Sequence, residues 1–150
     1  MAAARTPPQS PAPSDPAMAP MVLLRHTLPD GTWHYDWLLA RSAPPADPGT
    51  VEPAGAAGML LSFRIGHRPD DPAVHTIAAD HLGDHRVAYL TFEGDVSGGR
   101  GRVDRVASGW CRVIQENPEH VEFLACFDGV ERRWRGKPRG QPPHWLLSTE

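Results

Sequence analysis

The sequence predicts an all-β chain: a small closed or nearly closed β-barrel behind a disordered Pro-rich N-terminal tail. Three observations point there. Short runs of β-branched, aromatic and aliphatic residues recur along the chain, which is the composition of strands. Turn signals, among them Pro29-Asp30-Gly31, Asn117-Pro118 and Asp128-Gly129, fall between those runs. No window shows a helical period of useful length. Many short strands leave unpaired edges, and closing the sheet into a barrel or sandwich disposes of them.

Residues 1–20 carry Pro7, Pro8, Pro11, Pro13, Pro16 and Pro20 among Ser and Ala. Such a segment cannot bury enough apolar surface to order itself and reads as a tail, which leaves residues 21–150 for the domain. Residues 21–26 and 33–39 flank the Pro-Asp-Gly turn and read as a hairpin. Residues 41–58, rich in Pro, Ala and Gly, read as a long loop. A strand is predicted over residues 59–65, a turn region over 67–72 and a short strand over 74–79. A longer strand follows over residues 85–93, with His85, Val87, Tyr89, Thr91 and Glu93 on one face. Residues 97–102 form a glycine-rich connection that lacks the G-K-[ST] ending of a Walker loop. Further strands are predicted over 103–107, 110–115, 120–127, 130–135 and 144–148.

With 150 residues the chain is long enough for one domain with its own core. Its 15 Lys and Arg against 18 Asp and Glu exert no global pull on nucleic acid or an anionic membrane. Any nucleic-acid contact therefore has to use a local patch. Cys111 and Cys126 form no C-x-x-C pair and each sits in an apolar run, so buried free thiols are expected, consistent with a reducing cytoplasm. No apolar run approaches a membrane span, and the N-terminus lacks the apolar core of a signal peptide. The expectation is a cytoplasmic monomer with no membrane partner.

The chemistry concentrates in residues 26–39. His34 and Asp36 are spaced i, i+2, so on a strand they point the same way. If the hairpin sets His26 alongside them, two imidazoles and a carboxylate meet. Such a set can hold a divalent metal and leave positions open for substrate. The same spacing also suits an exposed polar strand face with no ligand.

The block Asp84-His85-Arg86-Val87-Ala88-Tyr89-Leu90-Thr91-Phe92-Glu93-Gly94 resembles the D-H-x-x-x-Y-x-x-F-E-G block of the phosphoesterase domain of bacterial DNA ligase D, a family that also has stand-alone members. His26 and His34-Tyr35-Asp36 are similar to that family's N-terminal H-x-x-x-x-x-H-[YW]-D block, with seven residues between the histidines where the family usually has five, and Ser108-Gly109-Trp110 falls where it has a D-x-G-x-W strand start. The resemblance covers about residues 21–110, with a vaguer match at 144–147. It implies a β-barrel that binds a divalent metal, typically Mn(2+), and removes a 3′-terminal phosphate or ribonucleoside in DNA repair. Carried over, it makes His26, His34 and Asp36 the metal ligands and has His85 and Tyr89 touch the scissile phosphate. It implies DNA or RNA–DNA 3′ ends as substrate and a separate ligase or polymerase of end joining as a partner. The chain departs from ligase-linked members at Leu38, where they have arginine, and at Gly83, where they have glutamate. Those departures suit an alternative, a non-catalytic module that binds nucleic-acid ends or a repair partner. A cupin-like metalloprotein acting on a small molecule is a third reading of the His-x-Asp strand.

Other residues have more local readings. Glu93 is a candidate to brace a ligand histidine from behind. His67, His75 and His81 read as solvated. Arg132, Arg133, Arg135, Lys137 and Arg139 surround Trp134, a basic patch with an aromatic of the kind that tracks a phosphate backbone and stacks a base. Trp33, Trp37, Trp110 and Trp145 read as core.

Overall fold

The computed structural model describes residues 18–42 and 59–149; the tail reading for residues 1–17 and the loop reading for residues 43–58 lie outside the described residues. The strands are β1 (Ala19–Thr27), β2 (Trp33–Ala40), β3 (Met59–Ile65), β4 (Thr76–His81), β5 (His85–Arg86), β6 (Gly94–Asp95), β7 (Arg102–Asn117), β8 (His120–Phe127), β9 (Val130–Pro138) and β10 (His144–Thr149). They form one antiparallel sheet in the order β1-β2-β3-β4-β10-β9-β8-β7, and β7 pairs back onto β1. The hydrogen bonding therefore runs in a closed, barrel-like ring, and the all-β expectation holds. Among the described residues no helix is long and apolar enough to cross a membrane.

Turn chemistry sets the hairpins. In the β1–β2 connection Gly31 N–H donates to the Leu28 carbonyl at 2.9 Å. Pro29 presets one φ and Gly31 takes φ +89°. The Asp30 carboxylate accepts from the Thr32 hydroxyl at 2.6 Å and from its N–H at 3.0 Å. At the β8–β9 connection both Asp128 (φ +53°) and Gly129 (φ +79°) are left-handed, the pattern of a two-residue hairpin turn that follows the sheet's twist.

Alternation then sorts the side chains. Met21, Leu23, Trp37, Leu39, Leu61, Phe63, Phe123, Trp134, Trp145 and Leu147 point inward and make one continuous core. Trp37 meets Phe123 and Trp134 edge to face, at ring-centroid distances of 5.1 and 5.6 Å, the geometry that aromatic quadrupoles favour. The intervening residues of the same strands, Val22, Leu24, Leu38 and Leu60, form a second, smaller cluster on the outside of the wall with Leu90 and Val103.

Several sequence expectations change. The strand β1 begins at Ala19, so Ala19 and Pro20 belong to the ring, paired with Cys111 and Trp110, and not to a tail. The two strands expected over 103–107 and 110–115 are one, β7. Gly109, between the two expected runs, lies inside it at a close approach where a Cβ would collide with the Cys126 carbonyl. The long strand expected over 85–93 is only β5 followed by a 3-10 turn, Val87–Leu90. Of the four tryptophans expected in the core, Trp33 is 44% exposed, with the Arg25 guanidinium 4.4 Å from its ring. His81 is half-buried against Phe63 and Trp145, not solvated, whereas His67 and His75 are exposed. Both cysteines are free; burial pushes the Cys111 thiol up to about 12, while Cys126 is half-buried.

Candidate metal centre and its cleft

His26 lies directly across the β1–β2 ladder from His34, and Asp36 lies one pleat further along β2 on the same outer face, across from Leu24. Directly opposed residues bring their Cβ atoms within about 5.5 Å, and here the imidazoles meet edge to face with centroids 4.9 Å apart. The carboxylate sits between them: Asp36 Oδ2 is 3.5 Å from His26 Nδ1, and Asp36 Oδ1 is 3.2 Å from His34 Nε2. One ligand atom from each residue lies within 4.8 Å of the other two. The side chains that the sequence singled out thus converge.

Two features distinguish this cluster from an ordinary polar face. Asp36 is buried, yet Asp36 Oδ1 and His34 Nε2 have no hydrogen-bond partner. Buried polar atoms are rarely left so, and a cation between them satisfies both. The second feature is the tautomer of His26. Its Nε2 is 2.8 Å from the Arg100 carbonyl; a carbonyl only accepts, so Nε2 carries a proton, and in the neutral ring the Nδ1 lone pair then faces Asp36. An outer hydrogen bond of this kind orients metal-binding histidines and fixes their tautomer. A nitrogen–nitrogen–carboxylate set of this spacing fits a divalent transition metal.

The glycine-rich connection delivers that carbonyl. Gly101 adopts φ +98°, and a Cβ there would collide with the Thr27 carbonyl at the end of β1. Only glycine lets the chain cross so closely. Arg100 is held in place by its own side chain, which donates to the Ser97 carbonyl at 2.7 Å and its hydroxyl at 3.2 Å.

The outer face is roofed by residues 82–101. Leu90, Tyr89 and Val96 pack on Leu24, Leu38 and Leu60, and Arg41 ties the start of this segment to the ring by bonding both Asp84 (2.8 Å) and Glu116 (2.7 Å). Those two carboxylates raise the Arg41 pKa above its usual value, Glu116 the more strongly. Between roof and wall is a cleft of about 320 Å³ lined by His26, Asp36, Arg64, His85, Tyr89 and Arg100. His85 and Tyr89 do share one wall, but through the 3-10 turn and not a strand period; their rings lie 5.7 Å apart. His85 Nδ1–H donates to the Gly83 carbonyl at 3.2 Å.

The remaining assignments need correction. Glu93 does not brace a ligand histidine: its carboxylate accepts from the Arg105 backbone N–H at 2.9 Å, at the bulge where β7 shifts register against β1. Trp134 is fully buried in the core and cannot stack a base. Arg132 donates to the backbone carbonyls of Pro69, Asp71 and Val74, and Arg133 bonds Glu122, with Arg135 3.8 Å from the same carboxylate. Arg133 holds Glu122 below its usual pKa. Most of the expected basic patch is therefore spent on the fold, while Lys137 is exposed. The residue that sequence reasoning missed is Arg64, which pairs across β2–β3 with Asp36 and reaches the cleft. Its signal, alternation with Leu60 and Ser62 on the outer face, was present but had no known register.

Comparison with protein-family models and with curated proteins returned no match to this chain.

Proposed function

We propose that this protein is a divalent-metal-dependent phosphoesterase that removes a 3′-terminal phosphate from nucleic-acid ends. The observation that supports it best is the convergence of His26, His34 and Asp36 on one point, with two buried atoms unsatisfied, at the floor of a cleft whose opposite wall holds His85 and Tyr89. The resemblance to the ligase D phosphoesterase domain joins the same two groups of residues.

His26, His34 and Asp36 would hold a divalent ion, Mn(2+) by the family resemblance, which would neutralise phosphoryl charge and activate a nucleophile. The chain's own groups do the rest. The Arg100 carbonyl fixes the His26 ring so that Nδ1 faces Asp36. His85 holds its Nδ1 proton on Gly83, and when protonated it offers Nε2–H to the phosphoryl oxygens as charge develops. The Tyr89 hydroxyl donates to the same oxygens. The Arg64 guanidinium supplies a positive charge at the mouth of the cleft.

The test is release of phosphate from a 3′-phosphorylated oligonucleotide in manganese. Wild type turns over, and His85→Ala lowers kcat by about 100-fold. Unchanged release by the variant refutes the role of His85, and no release by wild type refutes the function. One observation favours the second reading, a non-catalytic end-binding module: Leu38, where ligase-linked members have arginine, is fully buried in the outer cluster and lends the cleft no charge. Tight end binding with no product decides for that module.

A further inference from the structure

A second cleft, of about 450 Å³, lies on the outer face of β3, β4 and β10; it shares Arg64 with the first and has His34 of the triad in its own lining. Its walls include Ala78, Asp80, Arg139 and His144. Both clefts fall in the size range of small-ligand pockets, roughly 300–1,000 Å³. Arg64 stands at their junction, so a ligand lying in one is continuous with the other across a guanidinium.

The charges in this second cleft are unbalanced. Asp80 is its carboxylate, and His144 Nδ1 bonds it at 2.9 Å. No hydrogen bond or ion pair is made by the side chain of Arg64 or Arg139 among the described residues. Arg139 is fixed through its backbone, its N–H donating to the His144 carbonyl at 2.9 Å. The floor is low because Ala78 is small and exposed, while Trp145 beneath is almost wholly buried. Beyond Arg139 the alternation of β9 carries the outer face on to Lys137. Next along that face come Arg135 and Arg133, both close to Glu122.

We infer that the second cleft seats the nucleotides upstream of the reacting end: a single nucleic-acid strand runs from the triad over Arg64 to Arg139, with its backbone phosphates on those two guanidiniums. This rests on the function proposed above for the triad and extends it by giving the strand its path, entered from the β9–β10 side. Successive phosphates and successive cations in a groove are the usual form of sequence-independent strand binding. The short loop after β9, not the β9 strand as a whole, is then the basic element that touches nucleic acid.

The experiment compares a nucleoside 3′-phosphate with a single-stranded octanucleotide bearing a 3′-phosphate, by competition against a fluorescent octanucleotide and, separately, by phosphate release. On wild type the unlabelled octanucleotide competes at least tenfold more tightly than the nucleoside 3′-phosphate. Arg139→Ala loses most of that gain, Arg139→Lys keeps it, and the salt dependence of octanucleotide binding drops by about 0.7 in log–log slope, one phosphate contact. Length-independent affinity, or an Arg139→Ala variant that keeps the gain and the slope, overturns the inference even if phosphate is released. A length gain that depends on Arg139 with no phosphate released upholds the strand path and sinks the esterase.

Discussion

The wall made by β1, β2 and β3 has two faces built from alternate residues of the same strands, and they are different kinds of surface. Inward, Trp37, Phe63 and Leu39 join a dry core whose aromatic rings meet at favoured angles. Outward, Leu24, Leu38 and Leu60 make a smaller apolar patch that gives way to His26, His34 and Asp36. Among the described residues the inner face leaves a single core atom, the Trp134 indole Nε1, without a partner among apolar neighbours. The outer one leaves buried ligand atoms unsatisfied and is covered by a mostly irregular segment. Closure of the ring supplies the rigidity, and the strand period lets the reverse side hold polar groups that no core would tolerate.

If that division is real, the two faces fail separately. Phe123→Ala removes a fully buried ring that touches Trp37 and Phe63 and costs about 3–5 kcal/mol of stability. Denaturant melts measure it, and metal affinity of the variant still folded in buffer stays near wild type. The reverse case is Gly101→Ala. It places a Cβ against Thr27 and moves the Arg100 carbonyl off His26. Metal affinity falls about 10- to 100-fold, with a stability loss above the ~1–2 kcal/mol of the left-handed backbone alone because the Cβ meets backbone, read by titration and melting of the same sample.

A smaller effect comes from His81 at the inner edge. Burial lowers its pKa, with Arg41 acting in the same direction and Glu116 and Asp84 opposing. The folded state thus disfavours the protonated ring. Its contribution to stability is whole above the unfolded value near pH 6.5 and is lost as pH falls through the folded value. Melts at pH 7.5 and 5.5 differ less in His81→Phe than in wild type; an equal difference removes His81 from the account. Smallest is a labelling contrast. A thiol reagent at pH 8 modifies Cys126 before Cys111, whose buried thiol has a pKa of about 12. Equal rates mean that the ring opens in that region.

What was legible beforehand follows the range of each interaction. The β1–β2 hairpin and its triad could be read because turn chemistry and a period of two are local. Residues 85–93 could not, because their extended composition yields to packing of Leu90 and Tyr89 on the outer cluster. Arg64 was hidden because its place opposite Asp36 depends on register across residues 43–58. Trp134 misled because its basic neighbours suggest an interface, while the inward face of β9 is set only when the ring closes.

The central claim is that His26, His34 and Asp36 form one cation site, and a manganese titration of wild type beside Asp36→Ala, followed calorimetrically, tests it most directly. The account predicts one ion per wild-type chain and an affinity more than about 100-fold weaker in the variant, beyond the loss expected from an outer hydrogen-bond partner. Equal affinity in the two proteins, or no binding to wild type, contradicts it.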